Sequence, residues 1–112
     1  MSQLTTHILD TSIGKPAQGV QIQLEQSAGN SWTFLAKGIT NSDGRIGDLL
    51  PKEQILSPGV YRLVFDTEAY FKNLNIKTFY PSVCIEFEIT DASHYHVPLL
   101  LNPYGYSTYR GS

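Results

Sequence analysis

Short stretches in which every second residue is apolar constrain this chain more than any other feature. Val20-Gln21-Ile22-Gln23-Leu24-Glu25 sets Val, Ile and Leu against amides and an acid, and Val83-Cys84-Ile85-Glu86-Phe87-Glu88-Ile89 turns Cys84, Glu86 and Glu88 the other way. Side chains of a strand alternate between its faces, so such stretches predict antiparallel sheet with one apolar and one wet face. Trp32 to Ile39 and Gly59 to Phe65 are β-rich and bounded by Gly, Asn, Ser or Pro, and read as further strands. Asn41-Ser42-Asp43-Gly44 carries an Asp-Gly step suited to a tight reversal, and Lys15-Pro16-Ala17 and Ser57-Pro58-Gly59 read as punctuation. One helix is expected over Thr67-Asn73, with Thr67 or Asp66 as its N-cap. Many short strands in a chain of 112 residues predict an all-β sandwich in a single domain, 1–112.

Charge excludes some partners. Eight Lys and Arg against ten Asp and Glu give a net charge of −2, with no basic stripe, so no nucleic acid is expected. Arg62, Lys72 and Lys77 read as scattered, solvated charges. No apolar run approaches a membrane span, so no membrane partner is expected either. The start, Met1 to His7, lacks the charged and apolar regions of a signal peptide, and a single cysteine, Cys84, fits a reducing compartment. The expected location is cytoplasmic. The low charge fraction, 16%, hints at surface buried in an oligomer.

Side chains able to do chemistry gather in three places. From His94 to Ser112 the chain carries two imidazoles, four phenols and a guanidinium in nineteen positions. Solvated tails are poor in aromatics, so this end is expected to pack against something. In a regular strand His94 and His96 share a face with Pro98 and Leu100, while Tyr95, Val97, Leu99 and Leu101 face the core. His7 sits in the first expected strand with Thr5, Leu9 and Thr11 on its side. Arg45 follows the Asp-Gly turn and brings a permanent charge with a fork of donors, suited to an anion or a developing oxyanion. His94 and His96 are one pleat apart, but no third ligand stands near them in zinc-site spacing, and no metal or other cofactor is expected. Nucleophile-elbow, catalytic-cysteine and phosphate-loop motifs are absent.

Three separated motifs carry a resemblance to a known family: Leu4-Thr5-Thr6-His7-Ile8-Leu9-Asp10-Thr11, Thr40-Asn41-Ser42-Asp43-Gly44-Arg45, and the run from His94 to Tyr109-Arg110-Gly111-Ser112. In order and approximate spacing the chain resembles the 5-hydroxyisourate hydrolases, the transthyretin-related enzymes of urate breakdown. The resemblance implies a transthyretin-like (prealbumin-like) β-sandwich of two four-stranded sheets with one short helix, assembled as a homotetramer, a dimer of dimers. It implies a small-molecule substrate, 5-hydroxyisourate. It also implies a site formed by His7, Arg45, His96, Tyr109, Arg110, Gly111 and Ser112. His7, Arg45, His96 and Ser112 are then the expected catalytic residues, with His7 or His96 as the base. His7, Arg45, Tyr109, Arg110 and Gly111 are expected to bind substrate. Transthyretin shares that fold but lacks the His motif and the terminal tetrapeptide, which favours the enzyme; a transthyretin-like non-catalytic carrier of a planar ligand is the alternative. A prealbumin-like structural module is a further one, to which the middle motif alone is also similar.

Overall fold

The computed structural model describes residues 2–112; Met1, part of the domain expected over 1–112, lies outside the described residues. Eight strands and one helix follow in order: β1 (Leu4–Asp10), β2 (Lys15–Pro16), β3 (Gln21–Ala28), β4 (Ser31–Ile39), β5 (Gly59–Phe65), α1 (Thr67–Asn73), β6 (Val83–Ile89), β7 (Tyr95–Asn102) and β8 (Gly105–Thr108). They form two four-stranded sheets, ordered β2-β1-β7-β8 and β4-β3-β5-β6. This is the expected sandwich.

Alternation has the predicted effect. Val20, Ile22 and Leu24 are fully buried, as are Leu63, Phe65 and Ile89, and from the other sheet Ile8, Leu99 and Leu101 meet them. Cys84, Glu86 and Glu88 face outward on β6. Two readings change. Lys15–Pro16, read as punctuation, is a short edge strand against Leu9 and Asp10; proline is tolerated there because an edge strand can leave one backbone side unpaired. Arg62 is no free surface charge: its Nε donates to Glu25 Oε1 at 2.6 Å and its guanidinium lies 4.3 Å from the centre of the Trp32 ring.

Of the two candidate caps, Asp66 prevails. Its carboxylate accepts from the Ala69 N–H at 3.2 Å, whereas Thr67 is buried inside the first turn and donates to the Tyr80 carbonyl at 2.8 Å. The helix is pinned to the sheet by a buried polar contact. Tyr70 donates from its hydroxyl to Asp10 Oδ2 at 2.7 Å, and Asp10 Oδ1 accepts from the Ser12 N–H at 3.0 Å. Asp10 is wholly buried, so these donors replace the water that its carboxylate gives up.

Burial, then the bond to Asp10, pushes the Tyr70 hydroxyl well above the ordinary phenol range. A raised folded-state pKa favours the protonated form. The stability it contributes is therefore complete below the unfolded pKa of about 10 and is lost as pH rises beyond it. Tyr70→Phe should cost about 1–3 kcal/mol in urea titrations at neutral pH, because it strips a donor from a buried carboxylate. The same variant should lose part of the alkaline decline seen in the parent protein; equal stability across both pH ranges would refute this account.

Candidate active site

Two backbone contacts assemble the site. The first joins β1 to the turn after Asn41. Asn41 Oδ1 accepts from the backbone N–H of Asp43 at 2.8 Å and of Arg45 at 3.1 Å, closing a tight Asx-type loop. Gly44 there has φ of 73°, and a side chain at that position would meet the Ile8 carbonyl at 2.5 Å and the His7 ring at 3.3 Å. Only glycine lets the turn come so close. Ile8 N–H donates to the Gly44 carbonyl at 3.0 Å, and Arg45 bridges His7 across the ladder.

The second contact folds the tail onto β7. Pairing of β7 with β8 ends at Leu99 opposite Thr108, so the next opposed pair is Pro98 with Tyr109. His96 turns its carbonyl to the tail, and Pro98, two residues on, points its backbone the same way but has no N–H to give. The Thr108 hydroxyl takes the Pro98 carbonyl instead, at 2.7 Å. Tyr109 and Arg110 stand free of the ladder, which resumes where the Gly111 N–H donates to the His96 carbonyl at 2.8 Å. A Cβ on Gly111 would lie 2.4 Å from His96 Cδ2, so the tail seats against the imidazole only because that residue has no side chain.

Parallel pairing of β1 with β7 then brings the halves together. Thr5 lies opposite His96 and His7 opposite Pro98, so the two imidazoles occupy one face of neighbouring strands. Thr5 Oγ1 stands 2.8 Å from His96 Nδ1 and 2.9 Å from His94 Nε2. Burial pushes the His96 pKa below the ordinary imidazole value, the charges of Arg45 and His94 add to this, and the Thr5 carbonyl opposes it. His96 is thus held neutral near pH 7, with a permanent cation close by.

Of the residues singled out in the sequence, His7, Arg45, His96 and Gly111 come together. Tyr109 stays 59% exposed, so the tail's aromatics do not all pack within one chain. Arg110 turns aside, its guanidinium 4.4 Å over the Tyr95 ring, and Ser112 is exposed beyond the Gly111 bridge. A cleft of about 280 Å³ runs beside Arg45, Thr5, Asn41 and Lys52, and another of about 300 Å³ lies between the sheets under Tyr109 and Arg110, bordered by His96. His7 lines neither cleft and stands half-buried on the sheet face, whereas His96 borders the second. Thr5, which the sequence reading gave no role, is the side chain that links both His94 and His96; its place two residues before His7, on the same pleat, was the available signal. Among the described residues no three His, Cys, Asp or Glu side chains gather as a metal site.

Gly111→Ala should drive the tail off His96 without touching the sheets. The His96 ring signals in NMR should move and carboxypeptidase should trim the last residues faster, while thermal unfolding changes little. Unmoved His96 signals would show that the seating is looser than the geometry implies.

Comparison with known proteins places this arrangement. Residues 4–111 match the HIUase/Transthyretin family. A 5-hydroxyisourate hydrolase of Salmonella dublin is 53% identical over 110 residues, covering 97% of this chain and 80% of that protein. The solved structure of Klebsiella pneumoniae 5-hydroxyisourate hydrolase superposes with a TM-score of 0.87 at 40% identity, covering 99% of this chain and 100% of the other. Sea bream transthyretin in complex with thyroxine superposes with a TM-score of 0.89 at 35% identity, over 97% of this chain and 94% of the other. With its fold and nearly all of its length matched, the chain belongs to the HIUase/Transthyretin family.

Proposed function

We propose that this protein hydrolyses 5-hydroxyisourate, opening the six-membered ring at a cyclic amide to give 2-oxo-4-hydroxy-4-carboxy-5-ureidoimidazoline. The observation that carries this reading is the convergence of His7, Arg45, His96 and Gly111 on one sheet face through the bridges His7–Arg45 and His96–Gly111. Relatives bearing that activity are similar over almost the whole chain. Likeness to a thyroxine-bound transthyretin gives a non-catalytic carrier as the second reading, but 53% identity to a hydrolase against 35% to that carrier favours the enzyme.

Ring opening needs an activated water, a hold on a planar ligand and stabilisation of a tetrahedral oxyanion. His96, kept neutral by burial and by Arg45, accepts the water's proton. His7 orients the ring or returns the proton to the leaving nitrogen. Arg45 neutralises charge on the ligand and on the oxyanion. Tyr109, Arg110 and Gly111 close over the substrate, and the Ser112 carboxylate orients an imidazole. The site works as one hydrolase domain, 1–112, in a cytoplasmic homotetramer built as a dimer of dimers and using no cofactor. The open face around His7 supports the assembly, since a second copy laid across it would exclude water, and Tyr104, 68% exposed, and Tyr109 offer apolar surface for it. The free, exposed thiol of Cys84 suits a reducing compartment.

In a coupled assay, urate oxidase generates 5-hydroxyisourate and its ultraviolet absorbance is followed with and without this protein. Its decay should accelerate, and His7→Ala or Arg45→Ala should lower kcat by about 10²–10⁴-fold with the oligomer intact, as for positioned acid–base groups. No acceleration by the folded oligomer would move the reading to the carrier. Exhaustive chelation should leave the rate unchanged; a chelation-sensitive rate restored by a divalent cation would overturn the cofactor-free scheme. His96 titrates below the ordinary imidazole value, so its neutral, basic form persists into mild acid. The acid limb of kcat/KM should therefore lie below about pH 6.5. Residual activity in Arg45→Ala should show that limb moved upward, because the cation that opposes a proton on His96 is gone; a limb above pH 6.5 in the parent protein would remove His96 as the base.

A further inference from the structure

We propose that Thr5 and His94 are positioning residues that hold His96 in the tautomer protonated at Nδ1, so that Nε2 is the free base. This rests on the hydrolase reading for its catalytic meaning and for the direction of the protons, and on the geometry around Thr5 for the link between the rings. The Thr5 hydroxyl stands within hydrogen-bond distance of two imidazole nitrogens, His96 Nδ1 and His94 Nε2. It has one proton, which can go to one of them only; the other nitrogen must donate to the hydroxyl oxygen. The tautomers of the two histidines are therefore tied together through a single oxygen.

Which way the chain of protons runs follows from the base the hydrolase reading requires. If His96 Nδ1 accepts from the Thr5 hydroxyl, Nε2 carries the ring proton and the neutral imidazole has no free lone pair. A basic His96 therefore needs its proton on Nδ1, donated to the hydroxyl oxygen. The Thr5 hydroxyl then gives its own proton to His94 Nε2, leaving His94 protonated at Nδ1. The two rings lie nearly parallel, 16° apart with centres 6.4 Å from one another, as two partners of one oxygen on one strand face should. On the far edge of the His96 ring, Nε2 neighbours Cδ2, the atom on which Gly111 is packed. Nδ1 is thus the nitrogen turned to the Thr5 hydroxyl, and Nε2 the one across the ring from it.

The arrangement depends on His94 staying neutral, because a protonated His94 cannot accept. Were His94 to gain a proton, the Thr5 hydroxyl would turn to His96 Nδ1 and the basic nitrogen of His96 would be spent on holding it. The groups that bear on this balance come from four elements: His7 from β1, Arg45 from the turn, His94 from the approach to β7, and Arg110 from the tail, whose Nη2 lies 3.4 Å from the His94 carbonyl. Two of these, Arg45 and Arg110, are permanent cations.

The test is long-range proton–nitrogen NMR on the full chain labelled with ¹⁵N-histidine, which reads ring tautomers directly, combined with the pH profile of turnover. Above the acid limb, His96 should show a protonated Nδ1 and an unprotonated Nε2 in the parent protein. Thr5→Val keeps the shape and removes the hydroxyl. It should shift His96 toward the Nε2-protonated form and lower kcat on the order of 10- to 100-fold, the loss typical of removing a partner that orients a functional imidazole, with KM nearly constant. Thr5→Ser should restore both tautomer and rate, and His94→Phe should shift the tautomer in the same direction as Thr5→Val. A parent spectrum with His96 protonated at Nε2 would overturn the proposal whatever the variants do, as would a Thr5→Val protein with unchanged tautomer and unchanged kcat. Absence of turnover in the parent protein would sink the hydrolase reading and with it the catalytic use of the arrangement, whereas the spectrum separately decides the arrangement itself.

Discussion

The parallel ladder between β1 and β7 is the contact on which the rest of the site depends. Seven residue pairs, from Leu4 with Tyr95 to Asp10 with Leu101, fix the two strands side by side in one register. Because side-chain direction has a period of two, a slip of one residue would bury His7 and expose Ile8, so the apolar row guards the polar one. Leu4, Ile8, Leu99 and Leu101 are anchored in the core, and Thr5, His7 and His96 are held on the opposite face by the same backbone. Packing of the sandwich thus supplies much of the positional accuracy that a reacting group needs.

Two gaps in ordinary sheet structure do the remaining work. Gly44 lets a turn approach β1 closely enough for Arg45 to bridge His7, and Pro98 withholds an N–H so that the tail leaves the ladder and returns at Gly111. In both places a backbone that could have continued regular pairing is diverted by a residue that lacks something, a Cβ in one case and a donor in the other. The side chains gathered there come from the first strand, a turn, the seventh strand and the tail. Arg45 and Lys52 border one cleft, whereas the cleft that His96 borders carries Glu86 and Glu88 together with Arg110.

Local signals made much of the fold readable before any coordinates. Alternation marked β3 and β6, the Asp-Gly step marked the turn before Arg45, and the β5 and α1 boundaries agree with those read from residue type. What escaped was non-local. Lys15–Pro16 is too short to show a period, and it becomes a strand only because Leu9 and Asp10 offer an edge. Arg62 finds Glu25 and Trp32 across β3 and β4, a meeting that strand order decides. Asp10 stood in the first motif without a role of its own, and its buried bond to Tyr70 depends on the helix packing against β1. The same holds at the site. His7, Arg45, His96 and Gly111 stood out by type and motif, but the role of Thr5 depends on the register between strands far apart in the chain.

That separation has a consequence for how the protein comes into being. Thr5 and His96 are 91 residues apart, and every pair of the parallel ladder spans a similar stretch. Contacts of such range require closure of nearly the whole chain before they return any stabilisation, which is the topology of slow folders. During synthesis the β4-β3-β5-β6 sheet, whose pairings span shorter stretches of chain, can form before β7 emerges, while β1 waits without that partner. An unfinished chain on the ribosome therefore carries half a sandwich and none of the imidazole pair. Any chemistry this face performs switches on only after β7 has been made and laid beside β1.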